Sequence, residues 1–203
     1  MKKNSPFANL RTWKLMKVIM KTNDDLRQEA FTMQCISTMD QIFKQAKLPL
    51  WLKPYEIMAL GPRCGMLEVI EDFADISSIK EKLSTKDRFA TLADYFNQQF
   101  GKKGGKRQKQ AVENFTNSLA AYSLVCYILQ IKDRHNENIM VNIEGYVCHI
   151  DFGFLLSNAP GKGMKFETAP FKLTQEMVDV MGGAGSDKFR NFRTRMARGF
   201  CAL

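Results

Sequence analysis

Lys132-Asp133-Arg134-His135-Asn136-Glu137-Asn138 is the stretch on which the reading of this chain turns. It crowds polar and charged side chains directly behind an apolar run, Ala111 to Ile131, in which Phe115, Leu119, Tyr122, Val125, Cys126 and Leu129 recur near helical spacing. Asp151 stands thirteen residues beyond Asn138 and opens the triplet Asp151-Phe152-Gly153. Between them lie two strand-like runs, Ile139 to Asn142 and Tyr146 to Ile150, joined by a turn at Glu144-Gly145. A hairpin of that form brings a side-chain amide and a carboxylate onto neighbouring strands, where the two can bridge one hard cation.

Phosphoryl transfer needs such a cation to neutralise a polyphosphate. The protein-kinase signature places an Asn five residues after its catalytic Asp, followed later by Asp-Phe-Gly. Asp133 to Asn138 is also five residues, but the triplet here is Asp-Arg-His instead of His-Arg-Asp.

Working outward, Trp13 to Lys21 alternates apolar and basic residues as a half-buried strand does. Asn23-Asp24-Asp25 reads as a turn and helix cap, and Leu26 to Ala46 as a helix free of Gly and Pro. Leu50 to Leu60 reads as extended or mixed, interrupted by Pro54, and Gly65 to Ile70 as a short buried strand or connector. Leu92 to Phe100 predicts a helix, Gly101 to Gln110 a basic glycine-containing mobile loop. A helix is expected to start near Thr174, and a basic amphipathic one over Lys188 to Phe200. The pattern is a small mixed unit, a connector near residues 65–71 and a mostly helical unit.

Composition sets outer limits. Of 203 residues, 45% are apolar and 25% charged, values of a folded globular chain. A net charge of +9 favours an acidic partner: nucleotide, anionic membrane or nucleic acid. Five scattered cysteines show no CxxC or Cys/His spacing, which argues against zinc and for a reducing, cytoplasmic setting. Cys64, Cys126 and Cys148 read as buried apolar residues. The longest apolar stretch, Ala120 to Ile131, is too short to span a bilayer, so membrane contact is expected to be peripheral.

KDRHNENIM, HIDFGF and TNDDLRQE resemble the phosphatidylinositol 3-/4-kinase superfamily. FETAPFKLT with VDVMGG is similar to the type III phosphatidylinositol 4-kinases of the beta kind, and SPFANL, PLWLKPYEI and DFGFLLSNAP agree. The resemblance covers nearly the whole chain. It implies an α+β, two-lobed protein-kinase-like fold shortened at both ends: an N-lobe over 1–70 with its hinge at 65–70, and a C-lobe over 71–203 with catalytic loop 130–138 and activation loop 151–173. Of the strand and phosphate-covering loop that precede the Lys21 strand in the family only Met1 to Leu10 are expected to remain, with Ala8 where a glycine often sits, and the family's further C-terminal helices are expected to be missing.

The resemblance further implies transfer of the ATP γ-phosphate to the 4-hydroxyl of phosphatidylinositol. Lys21 would contact the ATP phosphates, with Glu29, or else Asp25, as the supporting carboxylate. Glu68 and Ile70 would offer backbone hydrogen bonds to adenine. Asn138 and Asp151 would hold Mg²⁺, with Mn²⁺ as the other ion considered. His135 is the preferred base for the inositol hydroxyl, since an ordinary imidazole titrates near neutrality, and Asp133 is the competing one. Lys162, Lys165 and Lys172 would meet the lipid phosphodiester and an anionic membrane surface, with Phe166 and Phe171 entering the interface. No dense basic box suits a phosphorylated ring, so unphosphorylated phosphatidylinositol is the expected substrate, on intracellular, Golgi-like membranes, without nucleic acid. Two other readings stay open: a phosphatidylinositol-kinase-related protein kinase, and a non-catalytic fragment that binds nucleotide or membrane. Taken singly, each of these residues also has a bland role in packing, capping or solubility.

Overall fold

A computed structural model describes residues 2–85, 87–156 and 168–203. Among the described residues, two small antiparallel sheets and six α-helices form one α+β body. The first sheet has order β1-β3-β2, from β1 (Val18–Thr22), β2 (Ile57–Gly61) and β3 (Cys64–Glu68). The second has order β4-β5-β6, from β4 (Phe73–Asp75), β5 (Ile139–Asn142) and β6 (Val147–His149).

The expected strand from Trp13 is shorter than its alternation suggests. Pairing with β3 begins only at Val18, and Val18, Ile19 and Met20 are exposed rather than half-buried. Alternation reports which residues share a face but cannot say whether that face is covered. The register sets Lys21 opposite Gly65. A Cβ at Gly65 would lie 2.5 Å from the Met58 carbonyl and 2.7 Å from Leu26 Cδ1, so only glycine lets the central strand sit this close to its neighbours. The segment expected as a hinge is therefore divided. Cys64–Glu68 is the central strand, and only Val69 and Ile70 lead out of it.

α1 (Arg27–Gln45) backs this sheet and buries Met33, Ile36, Met39 and Phe43. Leu26, not one of the aspartates, is its N-cap, and the Asp25 carboxylate instead accepts from the Arg27 N–H at 3.1 Å. Leu50 and Leu52 are buried, extended residues ahead of β2.

α4 (Lys106–Ile128) is the axis of the helical part, about 34 Å long at 1.5 Å per residue. It begins within the expected loop, since Lys106 to Gln110 form its first turns, and it ends before Ile131. From Ala111 to Cys126 nearly every residue is buried, including Phe115, Leu119, Tyr122 and Val125. Two hydroxyls inside this run are satisfied locally, Thr116 donating to the Val112 carbonyl at 2.7 Å and Ser118 to that of Asn114 at 2.7 Å, whereas the buried Ser123 Oγ has no partner among the described residues. Ser118 Oγ also accepts the Val147 N–H at 2.8 Å, which fastens β6 to α4.

α2 (Ile76–Ser84) is capped by Asp75, and α3 (Leu92–Phe100) by a Thr91/Asp94 capping box. α5 (Gln175–Val180) follows the Thr174 cap, and α6 (Asp187–Ala202) lies along α4. Glu113 on α4 receives both Lys188 and Arg195 of α6. Cys126 and Cys148 are buried as expected, whereas Cys64, at the start of the central strand β3, is half-buried. No helix among the described residues is long and apolar enough to cross a membrane.

Candidate active site

α4 ends at Ile128, and the chain leaves it through Gln130 in a left-handed conformation (φ 50°). The Lys132 N–H donates to the Phe154 carbonyl at 3.0 Å, and the Leu156 N–H to that of Leu129 at 3.0 Å. The polar loop and the segment after Asp151 therefore run side by side. The Ile150 N–H donates to the Asn138 carbonyl at 3.1 Å, closing the open end of the β5–β6 hairpin. Asn138 and Asp151 flank this closure, as the hairpin reading requires.

Two aspartates here adopt left-handed backbone, Asp133 (φ 61°) and Asp151 (φ 59°). Such residues cost about 1–3 kcal/mol each and persist where the surroundings hold them. Asn138 Nδ2 donates to the Asp133 carbonyl at 2.9 Å. Arg134 donates to the Lys132 carbonyl at 3.1 Å, to that of Ile150 at 2.7 Å, and to that of Asp151. Its guanidinium also lies 5.3 Å from the Phe152 ring centre. Arg134 is only 2% exposed, and its burial draws its pKa down. The Asn138 bond has a chemical consequence: the amide nitrogen is spent on the loop, and Oδ1 has no donor among the described residues, so it is available to a cation. An aspartate there would offer oxygen but lose the N–H that holds Asp133.

Lys21 reaches the same place from β1. Its ammonium lies 3.4 Å from Asp24 Oδ2 and 3.7 Å from Glu29 Oε2. Burial works against its charge, but Glu29, Asp151 and Asp24 outweigh it and raise its pKa. Glu29, in the first turn of α1, is buried and lies above the ordinary carboxylate range; burial is the main cause, opposed by Lys21 and by the Tyr55 hydroxyl. Tyr55 Oη donates to Glu29 Oε1 at 2.9 Å. Asp25, the other carboxylate considered for Lys21, pairs instead with Arg27 at 2.6 Å, and its pKa falls to about 2.

These groups converge on a cleft of about 430 Å³ between the two sheets. Lys21, Glu29, Glu68, Ile70, Asn138 and Asp151, all singled out from the sequence, line it. Ile19, Tyr55, Leu67, Val69, Met140 and Ile150 supply the rest of the wall, largely apolar as a flat heterocycle requires. The Glu68 N–H is already given to the Glu56 carbonyl at 2.9 Å, and that of Val69 to Lys17 at 3.0 Å. The Glu68 and Val69 carbonyls and the Ile70 N–H have no partner among the described residues and remain for a ligand.

A second, more open cavity of about 400 Å³ lies on the other side of the polar loop, lined by Ser77, His135, Asn136, Glu137 and Lys172. His135 and Lys172 thus share one site. The Glu137 N–H donates to His135 Nδ1 at 3.2 Å, which leaves the proton of the neutral ring on Nε2, 3.9 Å from Asp133 Oδ2. Lys162, Lys165 and Phe166 lie outside the described residues. Phe171, expected at a membrane interface, packs against the core instead.

Sequence reasoning missed Tyr55, Gln28 and Arg134. Gln28 Nε2 donates to the Gly153 carbonyl at 2.6 Å and to that of Phe152 at 3.2 Å, tying α1 to the triplet. Gln28 and Arg134 adjoin residues that were chosen, and that adjacency was the available signal. Tyr55 lies far from Glu29 in sequence and gave none.

The phosphatidylinositol 3- and 4-kinase family model matches residues 15–203. A phosphatidylinositol 4-kinase of Dictyostelium discoideum is 49% identical over 198 residues, covering 98% of this chain and 16% of its own length. Phosphatidylinositol 4-kinase beta of Rattus norvegicus is 42% identical over 201 residues, covering 99% of this chain and 24% of its own. The chain thus spans between about a sixth and a quarter of the length of these relatives.

Proposed function

Because the chain belongs to the phosphatidylinositol 3- and 4-kinase family, we propose that it transfers the γ-phosphate of ATP to the 4-hydroxyl of membrane phosphatidylinositol, giving phosphatidylinositol 4-phosphate. The observation that carries this reading is the pair of cavities on either side of Asp133–Asn138: an apolar-walled cleft with cation ligands and a lysine, and an open one with an imidazole and a lysine. The small unit through residue 70 acts as the upper lobe, and Val69–Ile70 as the link to the helical lobe.

In the cleft, the Glu68 carbonyl and the Ile70 N–H read the adenine edge. The Lys21 ammonium meets phosphate oxygens, held in place by Glu29, which Tyr55 in turn orients. Asn138 Oδ1 and the Asp151 carboxylate are the hard oxygen donors for a divalent cation, Mg²⁺ foremost. That ion, when bound, supplies neutralising charge for the polyphosphate. In the transfer, the bond from the γ-phosphorus to the β,γ-bridging oxygen breaks, and one to the inositol 4-oxygen forms. The hydroxyl proton passes to the Asp133–His135 pair. His135 takes it on Nδ1 by giving up the long bond from Glu137, and the imidazolium formed turns its Nε2–H toward the Asp133 carboxylate. Lys172 pairs with the lipid phosphodiester, and the chain works as a peripheral protein at an anionic surface.

The test is to offer the chain labelled ATP and Mg²⁺ with either phosphatidylinositol vesicles or a basic Ser/Thr peptide. Label in lipid, at the 4-position, is expected. Label in peptide alone would move the chain to the related protein kinases, and nucleotide binding without transfer to either would make it a non-catalytic module.

A further inference from the structure

We propose that Glu137 is a specificity-determining residue: its carboxylate keeps inositol rings that already carry a phosphate out of the acceptor cavity. The proposal rests on the reading of that cavity as the lipid head-group site.

The cavity beside His135 contains two charged side chains among its described residues, Lys172 and Glu137. Neither has an ion-pair partner among the described residues, so both charges face whatever enters. Lys172 matches the single negative charge of a phosphodiester. Glu137 can match only a donor, and the free hydroxyls of an unsubstituted inositol ring are donors.

Its position is set by the loop that positions the reacting groups. Glu137 lies in the single turn Asn136–Asn138, its N–H on His135 Nδ1 at 3.2 Å. The next residue, Asn138, donates its N–H to the His135 carbonyl at 3.1 Å and its Nδ2 to the Asp133 carbonyl at 2.9 Å. A ring placed to release a proton to His135 therefore lies beside the Glu137 side chain. A ring phosphate carries about −1.5 to −2 charges at neutral pH and would be set against a carboxylate, with one lysine among the described lining residues to offset both. The sequence showed only that a basic box is lacking. The cavity adds an acidic residue that works against such substrates.

The experiment compares kcat/KM on vesicles containing phosphatidylinositol with kcat/KM on vesicles containing phosphatidylinositol 5-phosphate, whose 4-hydroxyl is free. Wild type, Glu137→Gln and Glu137→Lys are measured, each checked for a wild-type melting temperature. Removing the charge should raise the ratio in favour of the phosphorylated lipid about threefold, and reversing it about tenfold, with the gain shrinking in high salt as charge effects do. A ratio that does not move in Glu137→Lys, or rates on both lipids that fall in parallel, overturns the proposal. Wild type that labels neither lipid would instead break the reading of the site as a lipid kinase centre, and this inference with it.

Discussion

The cleft read as the nucleotide site and the cavity read as the acceptor site share the loop Asp133–Asn138 but are built in different ways. The cleft takes its residues from β1, α1, the end of β3 and the two ends of the β5–β6 hairpin, all fixed by register or by buried bonds. The acceptor cavity takes its residues from one short turn, the start of α2 and a segment just before α5, and opens widely to solvent. A group held on regular elements can be preorganised before its ligand arrives. One held on turns and loops relies on the ligand surface, here a membrane, to complete it. On this account the cleft holds the nucleotide and its cation, and the cavity supplies the proton acceptor and the choice of substrate.

Substitutions can break or sharpen that division. The largest effect is expected from Asn138→Ala, which removes a cation ligand and also releases the Asp133 carbonyl; kcat should fall about a thousandfold, by analogy with the loss of preorganised electrostatic groups. Asn138→Asp should recover part of this in a Mg²⁺ titration, since oxygen returns but the N–H does not. Tyr55→Phe should cost about 1–2 kcal/mol in urea unfolding, because the buried Glu29 carboxylate loses its donor. It should also weaken ATP more than lipid in steady-state kinetics. If Tyr55→Phe changed the lipid KM alone, the cleft and the cavity would not be separate.

Lys172→Ala should raise the apparent KM for phosphatidylinositol about fivefold, in line with about 1 kcal/mol per basic residue near an anionic surface, and leave that for ATP unchanged. Assays with vesicles of rising salt would show the difference fading.

The smallest effect tests the scaffold. Burial raises the pKa of Glu113, but Lys188 and Arg195 more than reverse this, so it lies below its ordinary value of 4.5. Its contribution is therefore whole above that pH and is lost as pH falls through the depressed value. Glu113→Gln should lower stability by about 1 kcal/mol at neutral pH, the low figure reflecting solvent screening, with the gap closing in unfolding experiments under acid.

The same contrast decides what was legible beforehand. Lys21, Glu29, Asn138 and Asp151 come from the family resemblance, and each falls where local sequence marks an element: a strand end, a helix start and the two ends of a hairpin. Tyr55 could not be found this way, since its partner Glu29 becomes a neighbour only on folding. β4 escaped notice for the same reason: three residues become a strand only by pairing with Asn142, Val141 and Met140. The start of α4 was hidden by glycines and lysines that read as loop, although the helix is anchored by its buried middle. On the acceptor side, Lys172 was found but its neighbours Ser77 and Glu137 were not, because a cavity assembled from a helix start and two loops leaves no spacing to read.

The central claim is that Asn138 and Asp151 serve transfer to a lipid hydroxyl. It is tested most directly by incubating the chain and its Asp151→Ala variant with ATP, Mg²⁺ and phosphatidylinositol vesicles and identifying the labelled lipid. The account predicts phosphatidylinositol 4-phosphate from the first and none from the second. Equal labelling by both, or a product phosphorylated at the 3-position, would contradict it.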